Sequence, residues 1–167
     1  MLRLVFGLGT RAVNRMENDY PRIVALDDPL VKPYAKPEDA ARFSQHCVDV
    51  LSLEENNFQS LSVDEALNDD LDARLDIIGT RDTEASERMR ALGKQRDVWI
   101  LTFDDLLAKT EFSELMSIML KRLESIYNYP VDIEFTVNFN ADEKNANKPA
   151  SMQTVSDKRF IKPCGNS

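Results

Sequence analysis

The chain has 167 residues, a formal net charge of −8 and a pI near 4.7, with 43% hydrophobic and 30% charged residues. That is one domain's worth of sequence, long enough to bury about 70% of the surface the unfolded chain exposes. The acidic surplus repels phosphate backbones and so argues against non-specific nucleic-acid binding, and no apolar run approaches the ~20 residues of a membrane helix. Two cysteines, Cys47 and Cys164, make no disulfide framework, and the single histidine, His46, excludes any site needing two. Met1 to Val5 shows no charged-then-apolar leader pattern, which leaves a reducing cytoplasm as the expected compartment.

In chain order, Leu2 to Phe6 reads as a strand emptying into the turn Gly7-Leu8-Gly9-Thr10. Arg22 to Leu26 is a second short apolar run, and Pro29, Pro33 and Pro37 make residues 27–37 a surface loop. Glu38 to Gln45 predicts one or two helical turns behind Pro37. Cys47 to Leu51 alternates as a strand, and Phe58 to Leu61 returns as its hairpin partner across a Glu54–Asn57 turn. Leu67, Leu71 and Leu75 recur every four residues and predict an amphipathic helix over 64–76 with a solvated acidic face.

Thr83 is the expected cap of a helix running through Leu92 and ended by Gly93. Val98 to Phe103, with the only tryptophan, Trp99, reads as a strand. Behind a cap at Thr110, the stripe Phe112, Leu115, Met116, Met119, Leu123, Ile126 and Tyr127 predicts a long helix stopped by Pro130. Val131 to Phe139 alternates as a strand, and periodicity is lost in 141–167, which reads as a weakly ordered polar tail. The expected architecture is α+β: a mixed, mostly antiparallel sheet with packed helices over residues 1–140, followed by the tail.

Two constellations could carry chemistry. Asp132 and Glu134, spaced i, i+2 on a strand, project their carboxylates from one face with Cα atoms about 7 Å apart. Such a pair suits a divalent cation that also holds phosphate oxygens, and it equally suits the wet face of a half-buried strand. Gly7-Leu8-Gly9 lets backbone N–H groups turn toward an anion with Arg11 adding charge, or serves simply as a structural turn. It lacks the third glycine of a dinucleotide fingerprint and the Gly-Lys-Ser/Thr of a P-loop. His46 and Cys47 are strand neighbours on opposite faces and make no thiol–imidazole pair, and Asp104-Asp105 reads as a helix start.

The order of segments is more specific than any one of them. Gly7-Leu8-Gly9-Thr10-Arg11-Ala12-Val13, then Asp19-Tyr20-Pro21-Arg22, then Asp132-Ile133-Glu134-Phe135 resembles the latter part of an ATP-grasp nucleotide-binding domain. The family is that of phosphoenolpyruvate synthase (pyruvate, water dikinase) and pyruvate phosphate dikinase, and the resemblance spans residues 1 to about 139. It implies a partial ATP-grasp-like domain that takes Mg-ATP, in a family that passes phosphate to a histidine on a separate domain and from there toward pyruvate. By that resemblance Glu134 is the expected Mg²⁺ ligand with Asp132 beside it, and Gly7, Gly9 and Arg11 fall beside the nucleotide.

Three family features are not found in the sequence: the lobe with the phosphate-gripping lysine and arginine, the Gln-x-Arg-Pro strand, and the phosphohistidine context around His46. The expectation is therefore a lobe of a two-lobed site without dikinase activity of its own. Alternatives are a non-catalytic module binding nucleotide or protein, or one half of a split kinase. In these the missing lobe would lie on another polypeptide, or self-association would cover the open face.

Overall fold

The structure, a computed structural model, describes residues 1–14, 16–68 and 74–137. It divides into two compact units, Met1–Thr110 and a second beginning at Glu111. The expected boundary at 140 and the tail 141–167 lie outside the described residues.

The first unit is α+β, and its described strands form three separate two-stranded antiparallel ribbons rather than one sheet. The first ribbon pairs β1 (Leu2–Leu4) with β2 (Arg22–Val24), Leu2 opposite Val24 and Leu4 opposite Arg22. Both strands alternate buried–exposed–buried, so Leu2, Leu4, Arg22 and Val24 all face inward. Between them lie the Gly-Leu-Gly turn and a one-turn helix, α1 (Thr10–Val13).

The second ribbon is the predicted hairpin, β3 (Cys47–Ser52) with β4 (Asn57–Ser62), in register from Cys47 opposite Ser62 to Ser52 opposite Asn57. Asn56 closes the four-residue loop at φ 51°, a left-handed conformation that asparagine tolerates. Over the one or two helical turns expected for Glu38–Gln45 stand a 3-10 turn (Pro37–Asp39) and a further turn in which the Phe43 amide donates to the Asp39 carbonyl at 3.0 Å.

The hairpin runs directly into α2 (Val63–Asn68), whose start is a capping box. Glu65 accepts from the Ser62 amide at 2.9 Å, and Ser62 Oγ accepts from the Glu65 amide at 3.2 Å. The helix expected over 64–76 is found as α2 and as α3 (Leu75–Ile78), with residues 69–73 outside the described residues.

The third ribbon pairs β5 (Gly79–Asp82) with β6 (Val98–Leu101). Between them α4 (Thr83–Ala91) is capped by Asp82, whose carboxylate accepts from the Ala85 amide at 2.9 Å; Thr83 is the first helical residue and not the cap. The fully buried Ser86 hydroxyl donates to the Asp82 carbonyl and accepts from the Val98 amide, tying α4 to β6. Asp104 and Asp105 do open a helix, α5 (Asp104–Lys109), and Thr110 ends it rather than capping the next one.

The unit's core gathers Leu2, Leu4, Val24, Val48 and Leu101 from the three ribbons, with Ile78 from α3 and Leu106 and Leu107 from α5. Each such side chain, fully buried, contributes about 1.5–3 kcal/mol. An antiparallel bridge between Gln45 and Leu101 joins the hairpin's entry to the third ribbon.

The second unit is built on α6 (Phe112–Tyr127), with Glu111 at the N-cap position and no side-chain bond to the helix end. Its predicted stripe is narrower than expected: Phe112 and Met116 are buried, whereas Leu115, Ile126 and Tyr127 are exposed. The Phe112 and Phe135 rings stand 6.3 Å apart. Residues 131–137 carry no strand, contrary to expectation; the alternation of half-buried and exposed side chains is there, but no partner strand among the described residues supplies a ladder. Residues 138 and 139, the rest of that expected strand, lie outside the described residues.

Candidate functional site

The Gly-Leu-Gly turn is bolted to the middle of β3. Gly7 adopts φ 90°, a conformation in which L side chains are strained. A Cβ there would stand 2.5 Å from Val48 Cγ1 and 2.7 Å from the Asp49 carbonyl, so glycine is required both by backbone angle and by close approach. The Leu8 amide donates to that Asp49 carbonyl at 2.9 Å. Gln45, itself buried, uses its whole amide on the segment: Oε1 accepts from the Phe6 amide at 2.8 Å, and Nε2 donates to the carbonyls of Phe6 and Cys47. Gly9 differs from Gly7, since nothing lies within 4 Å of where its Cβ would be.

Beyond the turn sits a buried polar hub. Arg11 pairs with Asp19, bonds the Ser60 hydroxyl, and donates from Nη2 to Asp49 Oδ1 at 2.8 Å. Thr10 Oγ1 donates to the other Asp49 oxygen at 2.5 Å, and Asp19 Oδ1 accepts from the His46 amide at 2.6 Å. One arginine thus joins α1, the segment before β2, β3 and β4 with two carboxylates.

Burial alone pushes the Asp49 carboxyl up. Hydrogen bonds from Thr10, Arg11 and Ser60, with the Arg11 charge, outweigh it and hold the carboxyl below its ordinary value. Burial likewise disfavours the Arg11 cation, and the hydrogen bonds and charges of Asp49 and Asp19 more than offset it, so the guanidinium is charged at every ordinary pH.

The expected site residues therefore fall in two places. Gly7, Gly9 and Arg11 come together in the first unit, with Arg11 engaged by internal carboxylates. Asp132 and Glu134 belong to the second unit; both are exposed, alternating with half-buried Val131, Ile133 and Phe135. Among the described residues, no three of His, Cys, Asp and Glu gather into a ready-made metal cluster.

A family model described as pyruvate phosphate dikinase, AMP/ATP-binding domain, matches residues 1–148. The chain belongs to that family. The match takes in both the Gly-Leu-Gly segment and the Asp-Ile-Glu segment, and it does not single out the latter part of the dikinase domain. The chain matches no curated protein and no solved structure. Among the described residues of this dikinase-type nucleotide-binding domain, no helix is long and apolar enough to cross a membrane.

Reading the sequence missed Asp49, Asp19 and Gln45 as the residues that hold the turn. Asp49 did leave a signal, a carboxylate set between Val48 and Val50 in an otherwise apolar strand. Its cation lies 38 residues away, beyond anything local spacing reveals.

Proposed function

We propose that the chain binds an adenine nucleotide as its magnesium complex, as the nucleotide-binding part of a phosphoenolpyruvate synthase-type dikinase. The observation that carries this reading is the family match over residues 1–148.

Glu134, with Asp132 beside it, would hold the magnesium ion. Both are exposed carboxylates, hard oxygen donors that leave room for phosphate oxygens and water, and so they fit the ion chemically. The bound ion would neutralise charge on the nucleotide phosphates. Gly9, open around its Cα, gives a ligand access to the backbone of the turn. Arg11 acts from inside as a positioning residue, fixing that backbone through Asp49 rather than meeting the phosphate.

Phosphoryl transfer rests on positioning and on cations that grip the transferring group. The two acidic ligands supply neither grip nor acceptor, so on this reading the chain binds nucleotide without turning it over by itself. Exposed Leu115, Ile118, Ile126 and Tyr127 on α6 favour a second polypeptide, or a second copy, covering that helix.

Calorimetric titration of ATP and AMP, with and without magnesium, into wild type and Glu134→Ala tests the proposal. The expected result is magnesium-dependent binding weakened at least about tenfold by the substitution. Absence of binding by wild type under every condition refutes it.

A further inference from the structure

The β3 edge of the hairpin is covered by the Gly-Leu-Gly turn, and the β4 edge is open. The Asp49 carbonyl points away from β4, because it accepts from the Leu8 amide. Asp49 and Ser60 are therefore a pair that exchanges no ladder bonds, and by alternation so are Leu51–Phe58 and Cys47–Ser62. Three other bonds fix the same phase. Gln45 donates to the Cys47 carbonyl, the Ser62 amide donates to Glu65, and the Val63 amide donates to the His46 carbonyl at 2.8 Å. The amides and carbonyls of Phe58 and Ser60 consequently face outward from β4, where no strand pairs with them among the described residues.

Edge strands of native proteins are normally blunted by lysine, proline or a bulge. β4 reads Asn-Phe-Gln-Ser-Leu-Ser, without a charge or a proline, and its register with β3 is unbroken. Apolar surface lies beside this edge: Phe58 is 54% exposed, and Leu51 opposite it is 64% exposed. The outward groups are also complementary to themselves. A two-fold axis through Gln59 sets Phe58 of one copy opposite Ser60 of a second, twice over, and engages every outward group in four hydrogen bonds. The two Phe58 side chains then stand diagonal to each other on one face, within reach of contact. The two Gln59 amides meet across the axis on the other face.

We propose that a second copy of this chain docks on the β4 edge, joining the two hairpins into one four-stranded antiparallel sheet. The inference does not rest on magnesium–nucleotide binding, since it uses none of the residues assigned to that role. The contact is short, and it brings Glu55 of one copy toward the start of α2 of the other, where Glu65 lies. Weak, concentration-dependent association is therefore its expected form.

Sedimentation equilibrium of the full chain, without magnesium or nucleotide, tests this in ~0.15 M salt, which screens those carboxylates. A monomer–dimer equilibrium is expected at protein concentrations up to ~1 mM. Gln59→Glu sets two carboxylates on the axis and is expected to weaken dimerisation at least about tenfold. Phe58→Pro removes an outward amide that β3 does not use, and the same loss is expected. An equimolar mixture of Gln59→Glu and Gln59→Lys should associate more tightly than Gln59→Glu alone, because opposite charges then meet on the axis; a misfolded variant could not do this. A wild type that stays monomeric throughout overturns the proposal. So does dimerisation unchanged in either variant, as pairing through α6 would give, or a mixture no tighter than Gln59→Glu alone.

Discussion

Arg11 and Asp49 meet at 2.8 Å across 38 residues of chain, and each is less than a tenth exposed. Removing one member of such a pair strands the other's charge, at a cost of about 3–5 kcal/mol. Asp19 remains beside Arg11, so Asp49→Ala is expected near the lower end, about 3 kcal/mol in urea unfolding. The Asp49 carboxyl sits below its ordinary value of 3.8 in the folded chain. Its contribution is therefore full above that pH and fades as pH falls through the folded value. The stability gap between wild type and Asp49→Asn should narrow below about pH 4, and a gap constant down to pH 2 would contradict the arrangement.

The two glycines of the turn should respond oppositely to the same change. Gly7→Ala forces a Cβ into Val48 and the Asp49 carbonyl at a left-handed φ, and a loss of about 2–4 kcal/mol is expected. Gly9 has φ −66° and open space around it, so Gly9→Ala should be neutral or stabilise by about 0.5 kcal/mol. Equal losses in denaturant titrations of the two variants would show that the turn is not held as described.

Gln45→Glu is nearly isosteric yet exchanges two donated bonds for repulsion against the Phe6 and Cys47 carbonyls. A deficit of about 2–3 kcal/mol at pH 7 is expected. The new carboxyl would titrate above its unfolded value of about 4.3, because burial and carbonyl neighbours favour the protonated form. The variant should therefore be least impaired below that pH and lose stability as pH rises through the folded value. Parallel pH–stability curves for wild type and variant would count against it.

How much was legible depends on whether a signal is local. The hairpin is, because alternation over 47–51 and the turn at 54–57 specify it within sixteen residues, from Cys47 to Ser62. The α4 cap was misplaced by one residue because Asp82 and Thr83 are both good caps and only geometry chooses between them. The Ser62–Glu65 capping box was readable but hidden behind the acidic run that follows it. Alternation over 131–137 encodes a face rather than a partner, and the structure has the face without the ladder. In the candidate site, the need for a glycine at 7 was visible as a turn; that it clears Val48 was not, since 41 residues separate them.

The three ribbons of the first unit differ in how far apart along the chain their strands begin to meet. The β3–β4 hairpin closes over a few residues, a microsecond event, whereas the Arg11 hub must bring residues 11, 19, 49 and 60 together. The hairpin is thus cheap to nucleate by itself, and the polar hub is the longer-range latch that ties it to the first ribbon, the third being joined through the Gln45–Leu101 bridge. A chain with that latch cut would lose cooperativity before it lost secondary structure: helices and hairpins would persist while the unit ceased to unfold in a single step.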